Sequence, residues 1–158
     1  MHQFPPSLTK RMLQSSDSNW LFEIRNNENF RRFFVNPNPV SSVEHQHWFE
    51  SLYSDEISQF WIFELERVRV GYLRVRVSDE DASEVSIGID PSFQGMGIAS
   101  RIFAQTRFFE MDSKTEKFVA TVHKDNLKSL KLFSRYGFIN PREHSVMKDF
   151  LVLEKVSD

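Results

Sequence analysis

The residues best suited to chemistry are Gln94-Gly95-Met96-Gly97-Ile98-Ala99, which come after an alternating apolar stretch closed by Pro91. Two glycines in a strand-to-helix turn permit positive φ and aim backbone N–H groups and the helix dipole at one point, with no Cβ in the way. The chemistry supported there is anion binding, with side-chain cations optional. G-x-G-x-x-G would need glycine where Ser100 stands, and the Gly-Lys-Ser/Thr of a P-loop is absent. Two readings stay open on the glycines alone: an anion site, or a tight turn that binds nothing.

Periodicity predicts the elements that hold this turn. Val85, Ile87 and Ile89 alternate as a strand up to Asp90; Ile98, Ile102 and Phe109 recur at helical spacing; Phe118, Ala120 and Val122 alternate again. Phe60-Trp61-Ile62-Phe63 and Val68 to Val77, aromatic and β-branched, predict an antiparallel hairpin. The acidic Asp79-Glu80-Asp81 reads as a solvated turn before the next strand. Trp20, Leu21 and Ile24 predict a first helix over 17–26, and Pro37 and Pro39 make the next stretch a loop. Ser41 with Glu44 forms a capping box ahead of Trp48, Phe49 and Leu52, predicting a helix over 41–53. Asn126 caps a last helix with Leu130 and Phe133 inward and Lys128, Lys131 and Arg135 outward, ended by Gly137; one or two strands complete the chain to Val156.

The 158 residues suit a single domain, 1–158, with an adequate core and an aromatic payload of 16 Phe and 3 Trp. Lys and Arg number 20 against 22 Asp and Glu, so no positive excess points to nucleic acid. The absence of cysteine excludes disulfides, thiolate metal sites and a cysteine nucleophile. With no signal-peptide pattern and no apolar run of about 18 residues, no membrane partner is expected and the cytoplasm is the expected location. Oligomeric state is left open.

Gln94, Gly97 and Ala99 fill a Gln/Arg-x-x-Gly-x-Gly/Ala pattern that resembles the first motif of the GNAT N-acetyltransferases. Asn126-x-x-Ser129-x-x-x-Phe133-x-x-x-Gly137-Phe138 is similar to that family's second motif at the expected distance, and the resemblance spans roughly residues 60–156, Gly71 in its Val-Gly-Tyr context included. The resemblance implies an α/β (α+β) fold: a mixed central sheet of six to seven strands, bulged or splayed between the fourth and fifth, flanked by about four helices. It implies acetyl-CoA, with the pyrophosphate on the amides of Gly95, Met96, Gly97, Ile98 and Ala99 beside Gln94. The pantetheine arm would pair with Ile87 to Ile89 and meet Asn126, with Ser129 and Phe133 of the same motif nearby. In place of Phe133 the family usually has a tyrosine that protonates the leaving thiolate.

The implied reaction is direct attack of an amine on a thioester, which needs a base for the ammonium proton and donors for an oxyanion. The backbone N–H of Ile89 is the candidate donor. Glu84, opposite in phase to Val85, Ile87 and Ile89, could face either a substrate cleft or water. His45, on the inner edge of its helix and with an ordinary pKa near about 6.5, is the rival base or a boundary residue. Its spacing of two from His47 is wrong for a helical metal pair, and no metal is expected. A thiol of pKa near about 8.5 leaves as thiolate without an acid, and water or Tyr136 could substitute for the missing tyrosine; Tyr136 could equally be core packing.

By the same resemblance, the first 58 residues set the acceptor. Arg25-Asn26, Arg31 and Ser42-x-x-His45-x-x-Trp48-Phe49 resemble amino-sugar acetyltransferases that act on nucleotide-linked 4-amino sugars in pseudaminic acid synthesis. Arg25 and Arg31 could pair with a diphosphate, Trp48 could stack on a sugar or base, and His45 could meet the amine; solvated arginines and a core tryptophan are the plain alternatives. A ribosomal-type protein N-terminal acetyltransferase and a non-catalytic acyl-CoA-binding module are the competing functions.

Overall fold

The structure, a computed structural model, describes residues 5–55, 58–78, 82–108 and 115–156. Strand β1 (Leu8–Met12) leads through a 3-10 turn at Ser15–Asp17 into α1 (Ser18–Asn26), the one-turn α2 (Glu28–Arg31) and α3 (Ser42–Ser54). Then come β2 (Ser58–Leu65), β3 (Val68–Val77), β4 (Ala82–Ile89), α4 (Ile98–Gln105), β5 (Lys117–His123), α5 (Leu127–Arg135), β6 (Ile139–Glu143) and β7 (Phe150–Val156). The seven strands form one sheet in the order β1-β2-β3-β4-β5-β7-β6. The described helices are five rather than about four.

All strand pairs are antiparallel except β4 with β5, which run parallel. That pairing covers only Ala82–Glu84 against Lys117–Val119 and then ends, so the two strands part beyond Glu84. The expected opening is there, but register irregularities fall at Phe63/Glu64 and Ile139/Arg142, while β4 stays regular against β3.

Period-two alternation divides the apolar residues between two cores. Phe63, Leu73, Val85, Phe118, Ala120 and Val122 pack under α4 and α5 with Ile98, Ile102, Phe103, Phe133 and Phe138. On the other face Phe60 and Ile62 pack under Leu21, Ile24, Phe49 and Leu52 of α1 and α3. Each of the larger side chains, removed from water, contributes on the order of 2 kcal/mol.

The capping box forms as expected: Glu44 N–H donates to Ser41 Oγ (3.2 Å) and Ser41 N–H to Glu44 Oε2 (3.0 Å). Two elements went unread in the sequence, β1 and α2. The former is an edge strand with only Leu8 and Met12 apolar; the latter is a single turn capped by Asn27, which accepts Asn29 N–H. The acidic stretch 79–81 and Phe109 lie outside the described residues. No described helix is long and apolar enough to cross a membrane.

Candidate functional site

The glycine turn is built from the end of β4. Asp90 N–H donates to Val70 O (2.8 Å), and Asp90 Oδ1 accepts Ser92 N–H (2.9 Å), capping the 3-10 turn Pro91–Phe93. Gly95 (φ 80°) and Gly97 (φ 74°) lie in the left-handed region, and Gly97 is the N-cap of α4 without a side-chain cap for its first amides. A Cβ on either glycine would meet nothing within 4 Å. Unsatisfied N-terminal amides under open space form a cradle that fits a diphosphate. Buried Ile98 anchors the turn; Gln94 and Met96 are exposed and Ala99 is half-buried.

The free edge of β4 continues from this cradle. Because Asp90 N–H points to β3, alternation along a regular strand turns the N–H groups of Ile89 and Ile87 toward the opening. Opposite in phase, Glu84, Ser86 and Gly88 share a face with Thr121 and His123 of β5. Glu84 is exposed at the apex, between Arg76 and Val119 in register.

The second motif acts mostly on packing. Asn126 Oδ1 accepts Ser129 N–H (3.3 Å) and caps α5. Phe133 is buried edge-on to Phe103 (5.2 Å) and Phe138 (5.0 Å), so a hydroxyl at its position would enter an apolar cluster. Tyr136 stacks on Phe103 (5.4 Å) and donates its hydroxyl to Ser100 O (2.9 Å). Its proton is engaged in tying α5 to α4, which accords with the packing reading of Tyr136 rather than with that of a free acid.

The first 58 residues divide in an unexpected way. Asn26 Nδ2 donates to Val40 O (3.0 Å) while its Oδ1 accepts Val40 N–H (2.8 Å). Arg25 donates to Asn36 O (2.9 Å) and Asn38 O (3.3 Å) and lies over the Phe34 ring (4.6 Å). Both residues, expected from sequence to be acceptor contacts, clamp the loop before α3. His45, 6% exposed, sits with Nε2 2.9 Å from Ser18 O and 3.1 Å from Ser18 Oγ, among Phe22, Trp48 and Phe49. Burial depresses its pKa, the Ser18 carbonyl opposing in part, so the ring is neutral at pH 7. It lines a groove of about 590 Å³ between α1 and α3 with Ser18, Phe22, Gln46 and Tyr53, to which neither β4, β5 nor the glycine turn contributes. Trp48, 39% exposed, is beside it on α3. His45 and Glu84 are therefore not brought together.

Over the opening itself lies the α2 segment. The space beside Gly88 is filled by the Tyr72 ring and by Phe30, whose Cζ a Cβ there would approach to 2.8 Å. Phe33 reaches the His123 ring (5.5 Å), which also packs edge-on against Phe150 (5.1 Å). Tyr72, Arg74, Ser86, Thr121 and His123 escaped the sequence reading, although their phase, opposite to the core positions of β3, β4 and β5, was a signal for them.

A further tie joins the two sides. Trp20 Nε1–H of α1 donates to Asp90 Oδ2 (2.8 Å), while the other oxygen of that carboxylate caps the turn. Trp20→Phe is expected to keep the ring packing and weaken coenzyme A binding about fivefold, the worth of ~1 kcal/mol of hydrogen bonding. Calorimetric titration checks this; an unchanged Kd would reduce the indole to packing.

Solved structures share this architecture. A domain from Methanocaldococcus jannaschii superposes with TM-score 0.82 at 22% identity, covering 96% of this chain and 99% of its own. Spermidine N-acetyltransferase from Vibrio cholerae, in complex with CoA and spermine, gives 0.80 at 19% identity over 94% and 95%. A ribosomal L7/L12 α-N-protein acetyltransferase in complex with coenzyme A gives 0.77 at 18% identity over 96% of each chain. No curated protein matches the sequence. Residues 7–139 match the acetyltransferase (GNAT) domain, and the chain, with its parted β4 and β5 and its glycine turn, belongs to that family.

Proposed function

We propose that the chain transfers the acetyl group of acetyl-CoA directly to the primary amine of a small acceptor, a nucleotide-linked amino sugar, held between the α2 segment and the outer face of β4 and β5. The bridge of Phe30 and Phe33 from Tyr72 across to His123 carries this reading. A slot roofed by aromatic rings suits a compact acceptor, whereas a ribosomal-type enzyme needs an open trough for a peptide backbone. Of the acceptor residues expected from sequence, Arg31 follows Phe30 at the end of α2.

Acetyl-CoA supplies the activated acyl group. The chain's residues bind, orient and move the proton. The amides at 95–99 hold the diphosphate, and the free N–H groups of β4 meet the arm. Ile89 lies about 17 Å along the strand from Glu84 and Ile87 about 10 Å, so Ile87 N–H, not Ile89 N–H, is the oxyanion donor nearer the base. Glu84 takes the ammonium proton, directly or through one water.

Glu84→Gln is expected to lower kcat about 100-fold with coenzyme A affinity unchanged, while His45→Ala acts on the stability of the α1–α3 contact. Full turnover in Glu84→Gln would remove the base assignment. Thiol release measured with a UDP-linked 4-amino sugar, spermidine and an N-terminal peptide tests the acceptor, the first being expected to show the highest kcat/KM. Turnover of the peptide alone favours the ribosomal type, and none with any amine despite coenzyme A binding leaves a binding module.

A further inference from the structure

Two guanidiniums, on α2 and on β3, bury nitrogens that have no hydrogen-bond partner among the described residues. Arg31, at the end of α2 beside Phe30, has Nε and Nη1 closed off from water with no hydrogen-bond partner among the described residues. Arg74, two residues from Tyr72 on β3 and in register with Ser86, has a buried Nε without a partner among the described residues. Its Nη2 is 3.4 Å from Ser58 Oγ and 3.6 Å from Asp55 Oδ2.

Asp55 and Glu84 offset part of the charge on Arg74, whereas Arg31 faces the like charge of Arg25. Arg25 adds a third cation, bound to neutral carbonyls. Tyr72 lies between, and burial pushes its phenol up to about 12 although Arg74 and Arg25 pull the other way, so it stays an uncharged donor at pH 7. Desolvation lowers the pKa of both Arg25 and Arg74, with Asp55 and Glu84 opposing it at Arg74. A guanidinium with two nitrogens shut off from water is costly unless an oxyanion meets it, and its planar fork matches a carboxylate or phosphate.

We infer that Arg31, which follows Phe30 at the end of α2, is the receptor for an anionic group carried by the acceptor. The inference rests on the proposal that the acceptor lies under α2 and narrows its class to amines bearing a phosphate or carboxylate. A polyamine would bring a cation against Arg31.

Binding without turnover tests this. The protein saturated with coenzyme A is titrated calorimetrically with UDP, with glutarate and with spermidine. UDP or glutarate is expected to bind, the one that does identifying phosphate or carboxylate, and Arg31→Gln is expected to weaken it at least tenfold with coenzyme A affinity unchanged. Arg31→Lys keeps the charge without the fork and is expected to fall between, which also serves if the glutamine variant folds poorly. Binding of spermidine alone, or equal affinity for UDP and glutarate in wild type and both variants, overturns the inference. Anion binding that depends on Arg31, in a protein that does not acetylate nucleotide-linked amino sugars, would uphold this site while refuting that acceptor.

Discussion

Replacing Gly97 with valine is expected to weaken coenzyme A binding between tenfold and a hundredfold while the protein still folds. At φ 74° a β-branched residue sits in a region that costs about 1–3 kcal/mol, and the turn relieves that strain by rotating its amides off the point where they converge. The new side chain projects into the open space above the cradle, where a Cβ alone meets nothing within 4 Å. It therefore does not disturb the core, and buried Ile98 still anchors α4. The two effects, misaligned donors and an obstructed approach, act on the ligand rather than on the fold. Calorimetric titration with coenzyme A, paired with thermal unfolding, separates them: a native-like Tm with an unchanged Kd would show that this turn is not the phosphate site.

What the sequence made legible was local or periodic. The Ser41/Glu44 box spans three residues, the alternation of β3, β4 and β5 comes from backbone geometry, and Gly137, at φ 92°, ends α5 where a left-handed residue was expected. Elements held by tertiary contacts were not legible. Strand β1 has an edge strand's polar sequence and exists because Arg11 and its backbone find β2 and Asp17. Choosing among the readings that residue type leaves open for a side chain needs the same long-range partners. Asn26 has the chemistry of a ligand contact, yet both ends of its amide meet the backbone of Val40, fourteen residues on. His45 has the chemistry of a base, yet Ser18, twenty-seven residues back, holds it between two helices. Residue type states what a group can do; the partner that decides what it does is chosen by packing across the chain.

The same long-range logic makes Asp17→Asn the substitution with the largest expected cost to stability. Asp17 is fully buried before α1, and its carboxylate accepts from Arg11 Nη2 (2.7 Å) and Nη1 (2.9 Å) on β1, Arg69 Nε (2.7 Å) on β3 and the backbone N–H of Gln14 (2.7 Å). Burial by itself would raise its pKa; the bonds from Arg11, Gln14 and Arg69 outweigh it and hold the carboxyl below its ordinary value. Asparagine offers one neutral oxygen to a site built for four donors and turns an amide toward two cations. Breaking such a buried pair costs about 3 kcal/mol, or roughly 6–12 °C in Tm for a chain of this size. The pH dependence has a definite sign. A carboxyl with a depressed folded-state pKa contributes stability that is fully present above its unfolded value, about 3.9, and is lost as pH falls through the folded value. Wild type and Asp17→Asn should thus differ most at neutral pH and converge in acid below about pH 4. Since Asp17 leads directly into α1, whose Trp20 holds Asp90, the loss should also reach the cofactor turn as a weakened coenzyme A affinity. Denaturant unfolding at pH 7 and at pH 3 measures both arms; equal stabilities at pH 7, or a gap that persists unchanged at pH 3, would refute the assignment of Asp17 as the charged link among β1, β3 and α1.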